Sequence, residues 1–207
     1  MKTVAILSQK GGTGKTTLAV HLALAAERRD VVVAVLDLDP QASAAEWKDS
    51  RDGDTPSVTS IQSSRLGKAL EVAASAGAAL IIIDTAPHSA DAAVAAAEAA
   101  DLILIPCRAG ILDLRAIATT ARIVKVTGKP AYVVLNTIPP NSPRIVADAI
   151  AAVQQHGLPV APVVIHQRSA YAHALTAGQT AEEYEPDGKA AEEIAQLFKW
   201  LGSLLAF

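Results

Sequence analysis

Residues 2–17, KTVAILSQKGGTGKTT, carry an apolar strand straight into a glycine-rich turn that holds two lysines. No other feature limits the fold as much, because the segment joins a buried strand to a helix through a loop shaped for phosphate. Gly11, Gly12 and Gly14, with Thr13 among them, let successive backbone N–H groups curl around phosphate oxygens, while Thr16 and Thr17 open a helix whose positive end faces the same anion. Lys15 is then placed to reach the β- and γ-phosphates of a nucleoside triphosphate, with the Thr16 hydroxyl on Mg²⁺. The common phosphate loop has a glycine where this chain has Gln9, and Lys10 adds a second cation. A plain flexible turn with chance lysines is disfavoured by the VAIL strand before the loop and the LAVHLALAA helix after it.

With 207 residues and 51% hydrophobic content, one compact domain spanning 1–207 is expected. Aromatics are 3%, which argues against a base-stacking nucleic-acid module. The lone Cys107 excludes a disulfide framework or a four-cysteine cluster and fits a reducing, cytoplasmic setting. MKTVAILSQK enters the nucleotide motif directly, so neither a signal peptide nor a preceding segment is expected, and no apolar run is long enough for a membrane span. A net charge of −3 does not advertise nucleic-acid binding, although a local basic face is compatible with it.

Strands are expected at Thr3–Ser8, Val31–Asp37, Ser57–Gln62, Leu80–Asp84, Leu102–Pro106, Ala131–Asn136 and Val160–Ile165, with helices between most of them. Several are continuous aliphatic runs without polar alternation, the mark of a parallel sheet covered on both faces. The fold class is therefore α/β, a doubly wound, mostly parallel sheet of the P-loop type. Ligands of such sheets sit outside the carboxyl ends of the strands, where Lys10, Asp37, Asp39, Asp84 and Asn136 fall together. The five histidines have no metal-like spacing, and Cys107 reads as a packing residue.

The run KGGTGKT at Lys10–Thr16 matches a deviant Walker A pattern, and the chain resembles the ParA/MinD family of P-loop ATPases. That resemblance implies that Lys10 crosses a dimer interface to touch the partner's phosphates, sandwiching ATP between two protomers. Asp37-Leu38-Asp39-Pro40-Gln41 resembles the family's acidic element: by that likeness Asp39 orients the attacking water and Asp37 helps hold Mg²⁺ through water. Both carboxylates fall on one side of an extended segment, and an acidic turn capping the next helix is the simpler alternative. Leu80–Asp84 has the Walker B form, placing Asp84 near Thr16 and the metal, whereas Ala86 replaces the usual first proline of the switch that follows. Asn136 matches the position that hydrogen-bonds adenine; a plain turn asparagine is its other reading.

Within the family the chain looks like the short ParA type: the ATPase starts at residue 2, without a helix-turn-helix extension, and Ile165–Tyr171 followed by Gly178 resembles the stretch after the last core strand. The lone cysteine separates it from nitrogenase iron protein, and a related synthetase would need a substrate-binding insertion. The resemblance implies ATP-dependent homodimerisation, non-specific binding to nucleoid DNA, and slow hydrolysis stimulated by a ParB-like or other cargo adaptor. Lys125, Lys129, Arg144, Arg168 and Lys189 are candidates for the DNA face, or else a dispersed solvated surface. The rival is a MinD-like membrane cycle using the tail Ala190–Phe207, whose stripe of Ile194, Leu197, Phe198, Leu201, Leu204 and Leu205 is amphipathic. Its polar face carries too little basic charge for a surface-seeking helix, so packing on the core is expected.

Overall fold

A computed structural model describes residues 1–206. Six parallel strands form one sheet in the order β3-β2-β4-β1-β5-β6. They are β1 (Lys2–Ile6), β2 (Val33–Asp37), β3 (Ser57–Ser60), β4 (Leu80–Asp84), β5 (Leu102–Cys107) and β6 (Ala131–Leu135). The helices are α1 (Lys15–Glu27), α2 (Ser43–Asp49), α3 (Leu66–Ser75), α4 (Ala90–Ala99), α5 (Ile111–Thr127), α6 (Pro143–Gln154), α7 (Ser169–Thr176), α8 (Ala181–Tyr184) and α9 (Lys189–Leu205).

Alternation along each strand divides the core in two. Val4, Ile6, Val35, Ile82 and Leu104 pack with residues of α1, α2 and α9 on one face. Ala5, Ile81, Ile83, Ile103 and Leu135 pack with residues of α3, α4, α5 and α6 on the other. Because both faces are covered, β4 and β5 are buried at every position, which is why they read as unbroken aliphatic runs. The doubly wound class expected from the sequence is the fold observed.

Two expectations need correction. Val160–Ile165 is not a strand: it touches the sheet through single bridges, Val133 with Val160 and Ile138 with His166. Ala161 and Ile165 still donate to the carbonyls of Val133 and Leu135, but four positions on this segment then span two on β6, so the register slips and no continuous ladder forms. In α9, Ile194, Leu197, Phe198, Leu201 and Leu205 are buried in the core that α1 shares, whereas Leu204 is 40% exposed. Phe207 lies outside the described residues. No described helix is long and apolar enough to cross a membrane.

Candidate nucleotide site

The sheet brings the site together at its carboxyl edge. β1 lies between β4 and β5, with Ile6 in register with Asp84, and Asp84 in register with Asp37 on the next strand. The loop leaving β1 therefore opens beside two carboxylates that are far away in the sequence. Thr85 Oγ1 fastens the end of β4 to β1 by donating to the Ile6 carbonyl at 2.9 Å.

The loop closes through Gly14, whose φ of 87° is left-handed and which ends the turn just before α1 begins at Lys15. A side chain there would be strained, and its Cβ would also lie 2.3 Å from Asn136 Nδ2. Asn136 is the reason for that crowding. Its Nδ2 donates to the Thr13 carbonyl at 2.7 Å and its Oδ1 accepts from the Thr137 N–H at 2.9 Å. The expected base-contacting residue thus also ties the end of β6 to the phosphate loop, a link that sequence reading missed because it spans 123 positions.

Lys15 is buried, and burial lowers its pKa while Asp84 and Asp39 pull it back up. Thr16 Oγ1 donates to Asp84 Oδ2 at 2.6 Å. Asp84 Oδ1 is buried with no hydrogen-bond partner among the described residues. Burial first, then the neighbouring Asp37 and Asp39, push the Asp84 pKa up to about 7 against the Thr16 bond and the Lys15 charge. An orphaned anionic oxygen next to a hydroxyl and a phosphate loop fits a divalent cation held mainly by water and phosphate. That mode needs few protein ligands, consistent with the lack, among the described residues, of any group of three or more His, Cys, Asp or Glu able to hold a metal.

Asp37 serves α2 instead of open solvent. Its Oδ1 accepts from Asp39 N at 2.9 Å and its Oδ2 from Ala44 N at 3.0 Å. Burial raises its pKa and these N–H groups oppose the rise. The capping alternative is therefore realised at Asp37, and contact with a metal would have to share oxygens already accepting from backbone. Asp39 is half-buried, and its Oδ1 accepts from Gln41 N at 2.9 Å.

The loop separates two cavities. One, about 610 Å³, is lined by Lys15, Thr16, Asp39, Glu46, Trp47 and Pro87 among others; the smaller, about 310 Å³, by Thr17, Leu18, Asn136, His166, Arg168 and Tyr171 among others. Gly12, Gly14 and Thr17 line both. Gly11 lines neither, sitting against Pro87, and Lys10 is half-buried with no ion-pair partner among the described residues.

Glu193 organises the rim of the smaller cavity. It accepts from Arg168 Nη2 at 2.6 Å and Nε at 3.0 Å, from His166 Nδ1 at 2.7 Å and from the Tyr171 hydroxyl at 3.1 Å. Arg168, expected on the DNA face, is thus not a free surface cation; its side chain is 22% exposed and spent on α9. Lys125, Arg144 and Lys189 are exposed and Lys129 half-buried. Cys107 is buried, and burial pushes its thiol up to about 12, so it packs and does not attack.

A family model described as CobQ/CobB/MinD/ParA nucleotide binding domain matches residues 4–181. Maintenance of carboxysome distribution protein A of Gloeobacter kilaueensis is 32% identical over 195 residues, covering 93% of this chain and 88% of that one. Protein IncC of Escherichia coli is 26% identical over 226 residues, covering 86% of this chain and 62% of its own length. A solved ATP complex of a Cyanothece McdA variant superposes with a TM-score of 0.72 at 22% identity, covering 98% of this chain and 96% of that one. The family model spans most of the chain, and the chain belongs to the CobQ/CobB/MinD/ParA nucleotide-binding family.

Proposed function

We propose that the chain is an ATPase that forms an ATP-sandwich homodimer, binds DNA without sequence preference, and hydrolyses ATP slowly to segregate plasmid DNA or position a large cargo. The observation that carries this reading is the division of labour at the loop: Lys15 and Asp39 line the same cavity, and Lys10, just before the glycines, has no ion-pair partner among the described residues. The similarity to a carboxysome-distribution protein and to IncC supports a positioning or partition role over a metabolic synthetase.

Phosphoryl transfer to water needs positioning and charge stabilisation more than covalent help. The Gly11–Gly14 N–H groups and Lys15 hold the phosphates, and Thr16 with Asp84 would hold Mg²⁺, which would supply neutralisation of phosphate charge. Asp39 orients the attacking water through the oxygen that Gln41 leaves free. Lys10 reaches across to the partner's phosphates, so assembly depends on nucleotide. An adaptor protein on the cargo accelerates hydrolysis, and the monomers leave a nucleoid-bound state. The membrane-cycling alternative gains little from α9, whose Ile194, Leu197, Phe198, Leu201 and Leu205 are packed in the core shared with α1.

The test is retention on arbitrary duplex DNA with Mg²⁺-ATP, with Mg²⁺-ADP and without nucleotide, beside anionic vesicles under the same conditions. Binding to DNA with ATP alone is the expected result. Capture by vesicles with no DNA binding would overturn the reading.

A further inference from the structure

The chain carries 21 acidic against 18 basic residues, yet none of the acids lies between Asp113 and Asp148. That stretch holds Arg115, Arg122, Lys125, Lys129 and Arg144. In the fold it is one unit, α5-β6-α6, at the β6 edge of the sheet. The excess acid of the protein is thus placed elsewhere, and one edge is left basic.

Helix periodicity sorts α5 into two faces. Asp113, Ile117, Thr120 and Val124 are buried, whereas Arg115, Arg122 and Lys125 are exposed on the outside. The single acid of the helix, Asp113, is neutralised by Arg108 at 3.0 Å. Neighbouring helices bear Asp91, Glu98 and Asp148, but among the described residues none comes within ion-pair reach of Arg115, Arg122, Lys125, Lys129 or Arg144. Five cations therefore stand unneutralised. From Arg115 to Lys125 the helix rises ~15 Å, a span that faces several phosphates at ~3.4 Å of axis per strand phosphate.

We infer that the outer face of α5, with Arg115 and Arg122 as its anchors and Lys125, Lys129 and Arg144 beside them, is the surface that grips the DNA phosphate backbone. This rests on the DNA-binding reading above and gives it a location. Duplex DNA is favoured over a lipid surface because the aliphatic side chains at 117 and 124 point into the core. The outer face keeps Val126 among the cations and Ile111 and Leu112 at one end, too little for insertion, whereas a phosphate backbone asks only for cations. The face is also wired to the nucleotide: on its inner side Thr120 Oγ1 accepts from the N–H of Gln9 at 3.4 Å, directly before Lys10. Rearrangement of the loop around phosphate is thereby passed to α5.

The test is fluorescence anisotropy of the full chain with labelled arbitrary duplex and Mg²⁺-ATP over a salt series. It compares the parent, the double variant Arg115→Glu/Arg122→Glu, and Lys189→Glu on α9, each checked by thermal melting; Arg115→Gln/Arg122→Gln stands in if the reversed pair does not fold. Loss of two phosphate contacts should weaken binding by roughly 30-fold or more near physiological salt and lower the salt slope by about 2. A parent that binds beside an α5 double variant that binds as well would overturn this inference alone, as would a larger loss from Lys189→Glu. A double variant that keeps DNA but loses anionic vesicles would also overturn it. A parent that binds no duplex with ATP would overturn the functional reading and this inference together.

Discussion

Thr16 Oγ1 donates to one oxygen of Asp84 at 2.6 Å, while the other oxygen of the same carboxylate is buried without a hydrogen-bond partner among the described residues. The pair joins the start of α1 to the end of β4 across the phosphate loop, with one oxygen committed and one waiting. A cation nearby would stabilise the charged form that burial now disfavours, since burial moves the Asp84 pKa up to about 7. Asp84→Asn should therefore lower ATP affinity in Mg²⁺ about 10- to 100-fold, the size of one charged hydrogen-bond loss. Affinity in chelator should change little. Calorimetric titration with and without Mg²⁺ checks it, and equal losses in both would contradict the assignment.

Asp39 lines the larger cavity with an oxygen left over from its turn to Gln41. Asp39→Ala should keep ATP affinity within about threefold and slow phosphate release by ~100-fold, the usual scale for losing a group that positions or activates water. Unchanged turnover, with or without a stimulating partner, would remove it from the reaction.

His21 is fully buried in α1, with Nδ1 donating to the Thr17 carbonyl at 2.7 Å and Nε2 unpartnered. Burial holds its pKa down to about 4 from 6.5, against the Thr17 bond and the charge of Glu183. Between those values the unfolded chain takes up a proton that the folded chain refuses. The stability that neutral His21 contributes is complete above pH 6.5 and is lost as pH falls toward 4, up to about 3 kcal/mol. His21→Leu should flatten that part of the slope in urea unfolding at a series of pH values. An unchanged slope would mean that other groups cause it.

Leu201 is wholly buried where α9 meets the α1 face of the core. Leu201→Ala should cost about 2–5 kcal/mol by leaving a cavity, and should not alter binding to anionic vesicles. A stable variant with altered vesicle capture would return α9 to a membrane role.

What could be read in advance followed from how each residue is determined. β4 and β5 were legible because burial on both faces selects an unbroken aliphatic run, and the carboxylates because Asp37 and Asp84 end such runs; their pairing side by side came from the strand order of the fold. Val160–Ile165 read as a strand on composition, but Ala161 and Ile165 donate to Val133 and Leu135, a slip of register that no local pattern encodes and that leaves only single bridges. Arg168 read as a surface cation because its partner, Glu193, lies on a helix that only the tertiary fold brings near. Asn136 was legible as a strand-end residue, whereas its bond to Thr13 was not, since no local pattern encodes it. Leu204 shares the helical period of its buried neighbours, yet near the end of α9 it is left exposed.

Lys10 is the residue by which the account differs most from an ordinary monomeric P-loop enzyme, and its effect on assembly is the direct test. Sedimentation velocity of the parent and of Lys10→Ala should be run with saturating Mg²⁺-ATP and Mg²⁺-ADP. An ATP sandwich bridged by Lys10 predicts a dimer for the parent with ATP, a monomer with ADP, and a monomer for Lys10→Ala with either nucleotide although ATP still binds. A parent that stays monomeric with ATP bound, or a Lys10→Ala protein that dimerises as readily as the parent, would contradict the sandwich.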